Sequence, residues 1–309
     1  MARPEDASTT TELLHDAKRA GERAPSVHNT RPWVVSSGDG AITISGDVDR
    51  ALSVADPSAR ELIISCGAAL YNIRVAFRAH GLLPDVAELP DPDRPGLLAE
   101  VTPAATAEPS EVEQALYEAI DRRRTHRGPF EADLDDSLLD DLGAAAAAES
   151  AALRTVTDDR LIHSLAGLVT AAEYLHRYDS EAAEELSHWV RSPDGRRPGG
   201  IRAEDVPATS ADEERLFPGR DYRADIAGRL DTHGTATGTV AILETQADTR
   251  RSRLDAGQAL ERVLLTATSR GAGAAFHTQP LEEPGLRSII AERFCDGAHP
   301  QMIMRLGRL

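Results

Sequence analysis

The stretch APSVHNTRPW, residues 24–33, sits where a helical pattern gives way to a strand-like one. A turn at such a junction needs one or two special residues, yet this one holds Ser26, His28, Asn29 and Arg31 and ends on Pro32 and Trp33. Pro25 and Pro32 fix φ and push the residues before them toward extended backbone, which gives a rigid, non-helical track. On that track Ser26 and Asn29 can present a hydroxyl and a carboxamide, each donor and acceptor, without competing for a helix. Groups so spaced suit the edge of a flat heteroaromatic ring. The simpler alternative is an elaborate loop in which both side chains cap backbone groups and Trp33 belongs to the core.

Upstream, TTTELLHDAKRAGERA predicts a helix with Thr10 or Thr11 as N-cap and Pro25 just past its end. Downstream, WVVSS and AITISG flank Gly38-Asp39-Gly40, a hairpin signal. DPSARELIISCGAALYNIRVAFRAHG then predicts a long buried helix, with Pro57 in its first turn and Gly81 at its end. Extended pieces follow at 86–89 and 97–101, and TPAATAEPS, ending near Ser110, is the best linker candidate.

The second half opens with a helix, SEVEQALYEAID, that runs into RRRTHRGPF. After it come an alanine-rich helix (SLLDDLGAAAAAE), a strand (ALRTV) and a helical region over 158–190. Residues 191–223 turn to Gly, Pro and charge, and so long a loop in a compact chain suggests a lid over a site. The strand GTVAILET, the helix SRLDAGQALERVLLTATSRG, the strand GAAFHTQ, the helix PGLRSIIAERF and the strand PQMIMRL complete the order. Sheet pieces alternate with long helices without the even beat of a doubly wound fold, so the expected class is α+β. TELLHDAKRAGERAPSVHNTRPWVV and DSLLDDLGAAAAAESAALRTV share a pattern of leucine pair, helix end and strand, a faint internal repeat.

Composition narrows the partners. A chain of 309 residues with 41% hydrophobic content allows one large or two intimately packed units with a real core. A net charge of −17 opposes binding to nucleic acid or an anionic membrane, so a basic cluster is local and points to function. No apolar run approaches bilayer length, and MARPEDASTT lacks the apolar region of a secretory leader. Cys66 and Cys295 lie far apart without CxxC spacing, which fits a reducing cytoplasm. None of the ten histidines falls in a metal-ligand spacing, and His28, His126 and His277 are assigned no catalytic role.

RRRTHRGPF carries the strongest charge signal. Arg122, Arg123, Arg124 and Arg127, with the hydroxyl of Thr125, offer planar donor forks and a neutral donor within six residues, the set a phosphate dianion wants. At a helix C-terminus the dipole repels an anion, so the guanidinium groups must do the holding. The alternative is a set of arginines that end a helix and stay solvated.

Together these residues resemble a family. APSVHNTRPW is similar to the Pro-Ser-x-x-Asn-x-Gln-Pro-Trp segment of the flavin-dependent nitroreductases, and RRRTHRGPF to their Arg-Arg-Ser-x-Arg-x-Phe segment. The match is closer to the internally duplicated, Acg-like branch, through DPSARELIISCGAALYNIRVAFRAHG, DAGQALERVLLTAT, HTQPLE and PQMIMRLGR. The resemblance implies a nitroreductase-like fold in which a tandem duplication makes a pseudo-dimer of one chain, with halves 1–108 and 109–309 and a lid at 191–223. It implies FMN as cofactor, with Pro25, Ser26, Val27 and Asn29 at the ring edge and Arg31, in place of the usual Gln, near it. Arg123, Arg124, Thr125 and Arg127 would take the phosphate, Thr278 and Gln279 would approach the ring after a strand, and Arg305 would be a further anion contact. The implied activity passes electrons from NAD(P)H to a small-molecule acceptor, a nitro compound or quinone, with the flavin and no side chain as the catalyst. Its rival is FMN storage under a closed lid, and the chain is expected to be a monomeric pseudo-dimer or a homodimer.

Overall fold

Two 20-residue helices cross at the centre of the molecule, and glycine sets how closely they approach. The computed structural model describes residues 4–191, 199–202, 216–217, 220 and 238–309. In it α1 (Pro4–Gly21) leads through a 3-10 turn (Val27–Asn29) into β1 (Trp33–Gly38), β2 (Ala41–Gly46), α2 (Arg60–Ala79), β3 (Leu82–Glu88) and β4 (Leu97–Thr106). After α3 (Glu111–Arg122) come α4 (Asp136–Ala147), β5 (Ala152–Val156), α5 (Asp159–Tyr178), α6 (Ser180–Trp189) and the short strands β6 (Val190–Arg191) and β7 (Ile201–Arg202). The series closes with β8 (Thr239–Thr245), α7 (Arg250–Ser269), β9 (Ala272–Phe276), α8 (Gln279–Glu282), α9 (Pro284–Phe294) and β10 (His299–Arg308).

Besides the short parallel pair β6-β7, the described strands form two antiparallel four-stranded sheets, ordered β1-β2-β4-β3 and β5-β8-β10-β9. Both follow the same rule: first, second, fourth, third strand of the series. Asp39 and Gly40 turn the first hairpin with φ of 51° and 77°, the left-handed pair that matches strand twist. The second sheet is covered on both faces, so its strands read as unbroken apolar runs. Met302, Met304 and Leu306 of β10 pack toward α4 and α7, whereas Ile303 packs toward α5 and α9.

α2 and α7 meet at Gly67 and Gly257, each the eighth residue of its helix. A Cβ on Gly67 would stand 2.2 Å from the carbonyl oxygen of Leu254, and one on Gly257 would stand 1.9 Å from that of Ile64. The contact is therefore reciprocal, each glycine facing the turn three residues before the other. α2 is long and apolar enough to cross a membrane, but 83% of that window is buried inside the fold.

Several boundaries differ from expectation. α1 begins at Pro4 rather than at Thr10 or Thr11, since proline fits the first turn of a helix. Residues 102–106 of the expected linker belong to β4, paired with β3, which leaves only 107–110 as connection. Ser110 ends it as a capping box with Glu113. Pro57 lies outside α2, whose N-cap is Ala59 in left-handed backbone. The helical region at 158–190 breaks at Asp179, whose carboxylate accepts from Glu181 N and Ala182 N and starts a new helix.

Candidate functional site

A cavity of about 590 Å³ opens between the two strand-helix series. Pro25, Ser26, Val27, Asn29, Arg31, Arg123, Arg124, Thr125, Arg127, Thr278, Gln279 and Arg305 all line it. They arrive from four places: the α1–β1 connection, the segment after α3, the end of β9 and the middle of β10.

The α1–β1 connection is held in unusual backbone. His28, Asn29 and Arg31 have φ of 50°, 53° and 51°, a region that Asn tolerates and that costs His and Arg about 1 kcal/mol or more each. Local bonds maintain it: Asn29 N–H donates to Ser26 O and Thr30 N–H to Val27 O, both at 2.9 Å. The Ser26 hydroxyl oxygen accepts from Arg31 N–H at 2.9 Å. Asn29 Nδ2 donates to Gly200 O at 2.9 Å, and Gly200 N–H returns a bond to Asn29 O at 2.8 Å. Part of the polarity expected to face a ring is thus used on backbone. Trp33 is buried in the core, as the loop alternative required.

The arginine segment divides. Arg122 is exposed, with Nε on Glu118 O, and turns away from the cavity, because the last turn of α3 leaves it on the solvent side. Arg124 Nη1 donates to Asp121 O at 2.9 Å and to Arg123 O at 2.8 Å, so it also caps the helix end. Arg123 reaches inward: Nη2 donates to Arg23 O at 3.1 Å, and Nε lies 3.6 Å from Oε1 of the fully buried Glu261. β9 is an edge strand with backbone groups to spare. Thr125 forms a parallel bridge to its Ala274, and His126 N–H donates to Ala274 O at 2.8 Å, which docks the segment on the cavity wall.

Electrostatically the cavity opposes the rest of the molecule. Among the described residues, seven arginines line it (Arg23, Arg31, Arg123, Arg124, Arg127, Arg220 and Arg305) against two glutamates, Glu22 and Glu61, in a chain of net charge −17. Arg305 Nε donates to His277 Nε2 at 2.9 Å, which places the imidazole proton on Nδ1. The same guanidinium lies over Phe130 and Phe217, 5.6 and 5.9 Å from the ring centroids. His28 is buried, and burial, with Arg220 and His176 nearby, pushes its pKa well below the ordinary range. Burial raises Glu61 to about 8 and Glu261 to about 7, against the pull of Arg60 and Arg123. Gln279 Nε2 and Glu61 Oε2 are buried without a hydrogen-bond partner among the described residues.

Sequence reasoning did not find Glu61, Phe217 or Arg220 and left His28 and His277 without a role. A signal existed for Glu61 alone: Arg60-Glu61 opens a helix that is otherwise almost entirely apolar. Of the expected lid at 191–223, only 191, 199–202, 216–217 and 220 are described, and the rest lies outside the described residues. Gly200, Ile201, Phe217 and Arg220 line the cavity, and Arg220 pairs with Glu282 of α8.

Two like-ordered antiparallel sheets, helices crossing between them and a cationic cleft at their junction define an α+β protein whose cleft has the size and charge to suit an anionic ligand. No family model matches the chain. It is 30% identical over 308 residues to a Mycobacterium tuberculosis H37Rv protein named "Putative NAD(P)H nitroreductase acg", covering 98% of this chain and 91% of that protein. A second protein of that organism named as a putative NAD(P)H nitroreductase is 34% identical over 294 residues, covering 92% of this chain and 82% of its own length. A third, an uncharacterized protein, is 31% identical over 303 residues, with 96% and 86% covered. Among solved structures, a nitroreductase with bound FMN from Bacteroides fragilis aligns with 62% of this chain and 87% of its own, at TM-score 0.38 and 14% identity. The chain belongs to the NAD(P)H nitroreductase family.

Proposed function

We propose that the cavity holds one FMN and that the chain is an FMN-dependent oxidoreductase passing electrons from NAD(P)H to a nitro compound or quinone. The observation that carries this is the cavity's charge: seven arginines converge on it in a strongly acidic chain. That set suits a phosphate-bearing ligand. The buried, unpartnered Nε2 of Gln279 suits a ring acceptor, since an amide left unbonded in the interior costs about 1–3 kcal/mol. Arg123, Arg124, Thr125 and Arg127 would hold the phosphate. Pro25, Ser26, Val27, Asn29 and Arg31 would hold one edge of the ring, Thr278 and Gln279 the other, and Arg305 would add a cation. Bound FMN supplies hydride exchange between nicotinamide and acceptor, while the protein binds, orients and excludes water. The test is the visible spectrum of the purified protein before and after anaerobic NADPH. Yellow protein bleached by NADPH supports the proposal, whereas colourless protein that ignores added FMN overturns it.

A second reading, FMN storage, has its own support. Gly200 is bonded twice to Asn29, Phe217 packs 5.2 Å from the His277 ring, and Arg220 pairs with Glu282, so three points of the 191–223 segment close on the cavity. Yellow protein reduced by dithionite but not by NADPH would favour storage.

The proposal extends to a tandem duplication, with halves 1–108 and 109–309 acting as a pseudo-dimer in the cytoplasm. The equal strand orders and the reciprocal glycine contact support it. By that relation the counterpart of the cavity lies among the α4–β5 turn, the first turns of α7 and the end of β3. Side chains fill that place: Glu149 pairs with Arg74 at 2.6 Å and Arg262 at 2.8 Å. Gln258 bridges Arg74 to Glu88, which also pairs with Arg251. One flavin per chain follows.

A further inference from the structure

We propose that Glu61 is the proton donor of this cavity, giving its carboxyl proton to the oxygen of a quinone acceptor as that acceptor takes up hydride. The inference rests on the activity proposed above and adds to it a catalytic side chain. Glu61 stands in the first turn of α2, lines the cavity and is 3% exposed. Its two oxygens differ in their surroundings. Oε1 is held by Arg60 Nη2 at 2.5 Å, and Arg60 is anchored in turn by Gln301 O at 2.7 Å. Oε2 is buried with no hydrogen-bond partner among the described residues. A proton on Oε2 gives that oxygen a donor to offer a ligand in the cavity.

The charges facing Glu61 explain why it keeps a proton. They are Arg60 and Asp56 at the start of α2, Glu282 of α8 and Arg220. Arg220 pairs with Glu282, which leaves Arg60 to two carboxyl groups, Glu61 and Asp56. Burial raises Asp56 as well, against the backbone N–H groups of Arg60, Glu61 and Leu62 that pull it down at the helix N-terminus. Oε2 of Glu61 has no such donor among the described residues, and burial raises Glu61 to about 8. The other titratable groups on the wall are poorer donors. His28 is neutral, His277 presents Nε2 to Arg305, and His126 Nε2 is spent on Pro129 O.

Bound FMN would supply the hydride, two electrons and one proton, that the quinone takes up. The Glu61 O–H bond breaks, its proton forms an O–H bond on the quinone oxygen, and hydroquinone leaves. The resulting carboxylate lies at the N-terminus of α2 beside Arg60, where anionic charge is favoured, and it recovers its proton from water.

Infrared spectroscopy of the cofactor-free protein tests protonation: a protonated-carboxyl band at pH 7 should lose the Glu61 share of its intensity in Glu61→Gln, leaving that of Glu261. Anaerobic stopped-flow tests the role. Reoxidation of the FMN-loaded, reduced protein by benzoquinone should slow about 100-fold in Glu61→Gln. Reduction by NADPH should slow far less than reoxidation, and Glu61→Asp should recover part of the loss. Wild-type reoxidation should fall as pH rises through about 8, and the Gln variant should show no such fall. Absence of the infrared band in the wild type overturns the proposal without needing any variant to fold. So does reoxidation of flavin-loaded Glu61→Gln at the wild-type rate and pH profile, and in that case the FMN activity itself stands. Failure to bind FMN at all overturns both.

Discussion

At Arg123 one side chain serves two masters. Its guanidinium faces the cavity and also compensates Glu261, which is fully buried. Arg123→Ala therefore removes the proposed phosphate contact and strands a carboxyl in the core. FMN affinity should fall about 10-fold or more, the worth of one charge-assisted bond. Stability should fall by about 1–3 kcal/mol rather than more, because Glu261, already raised to about 7, can take a proton. Flavin titration and urea denaturation of the same variant separate the two losses. Glu61 carries a pH signature of its own. Its folded pKa of about 8 lies above its ordinary 4.5, so the folded state binds the proton more tightly. The stability this confers is full below pH 4.5 and is lost as pH climbs through 8. Melting temperatures from pH 5 to about 8.5 should fall more steeply in wild type than in Glu61→Gln; parallel curves would refute this. Arg31 stands where the family resemblance expects Gln. Arg31→Gln should make the midpoint potential of bound flavin more negative, since a nearby cation favours the reduced anion, and an unchanged potential would remove Arg31 from that role.

Among the elements, the α2–α7 crossing decides most. Replacing Gly67 or Gly257 by Ala gains about 1 kcal/mol of helix propensity. The new methyl would stand about 2 Å from a backbone carbonyl, at 2.2 Å and 1.9 Å respectively, and backbone cannot swing aside. Separation of the helices should cost more than the propensity returns, for a net loss of about 2 kcal/mol or more. Ile64 and Leu260 of these helices line the cavity, so the same variants should release flavin. Denaturation midpoints and retained flavin absorbance, measured together, check both. Element type was largely legible in the sequence because caps, turns and apolar period are local. The Gly38-Asp39-Gly40 hairpin and α9 at Pro284–Phe294 fall where expected. The end of β4 was not legible: TPAAT has the composition of a linker, and only pairing with β3 makes it a strand.

For the whole molecule the sharpest expectation is stoichiometry. If the halves are related as proposed, Glu149, Arg74, Arg262, Gln258 and Glu88 fill the counterpart of the cavity, and saturated protein should carry one FMN per chain. Two flavins per chain in an absorbance titration would refute that relation. The cavity's charge adds a second check: riboflavin, which lacks the phosphate, should bind at least about 100-fold more weakly than FMN, and added salt should narrow the gap.

Most of the helices and strands and the α+β class were legible in the sequence, and the twelve residues that its family resemblance implied all line one cavity. Turn chemistry, helix ends and short motifs act over a few residues and leave their mark there. Only the tertiary structure decided that Arg122 faces solvent, that Asn29 spends its amide on Gly200, and that Phe217, Arg220 and Glu61 join the cavity wall. It also raises the Glu61 carboxyl, because desolvation and the facing charges depend on segments as far apart as α2, α8 and residue 220.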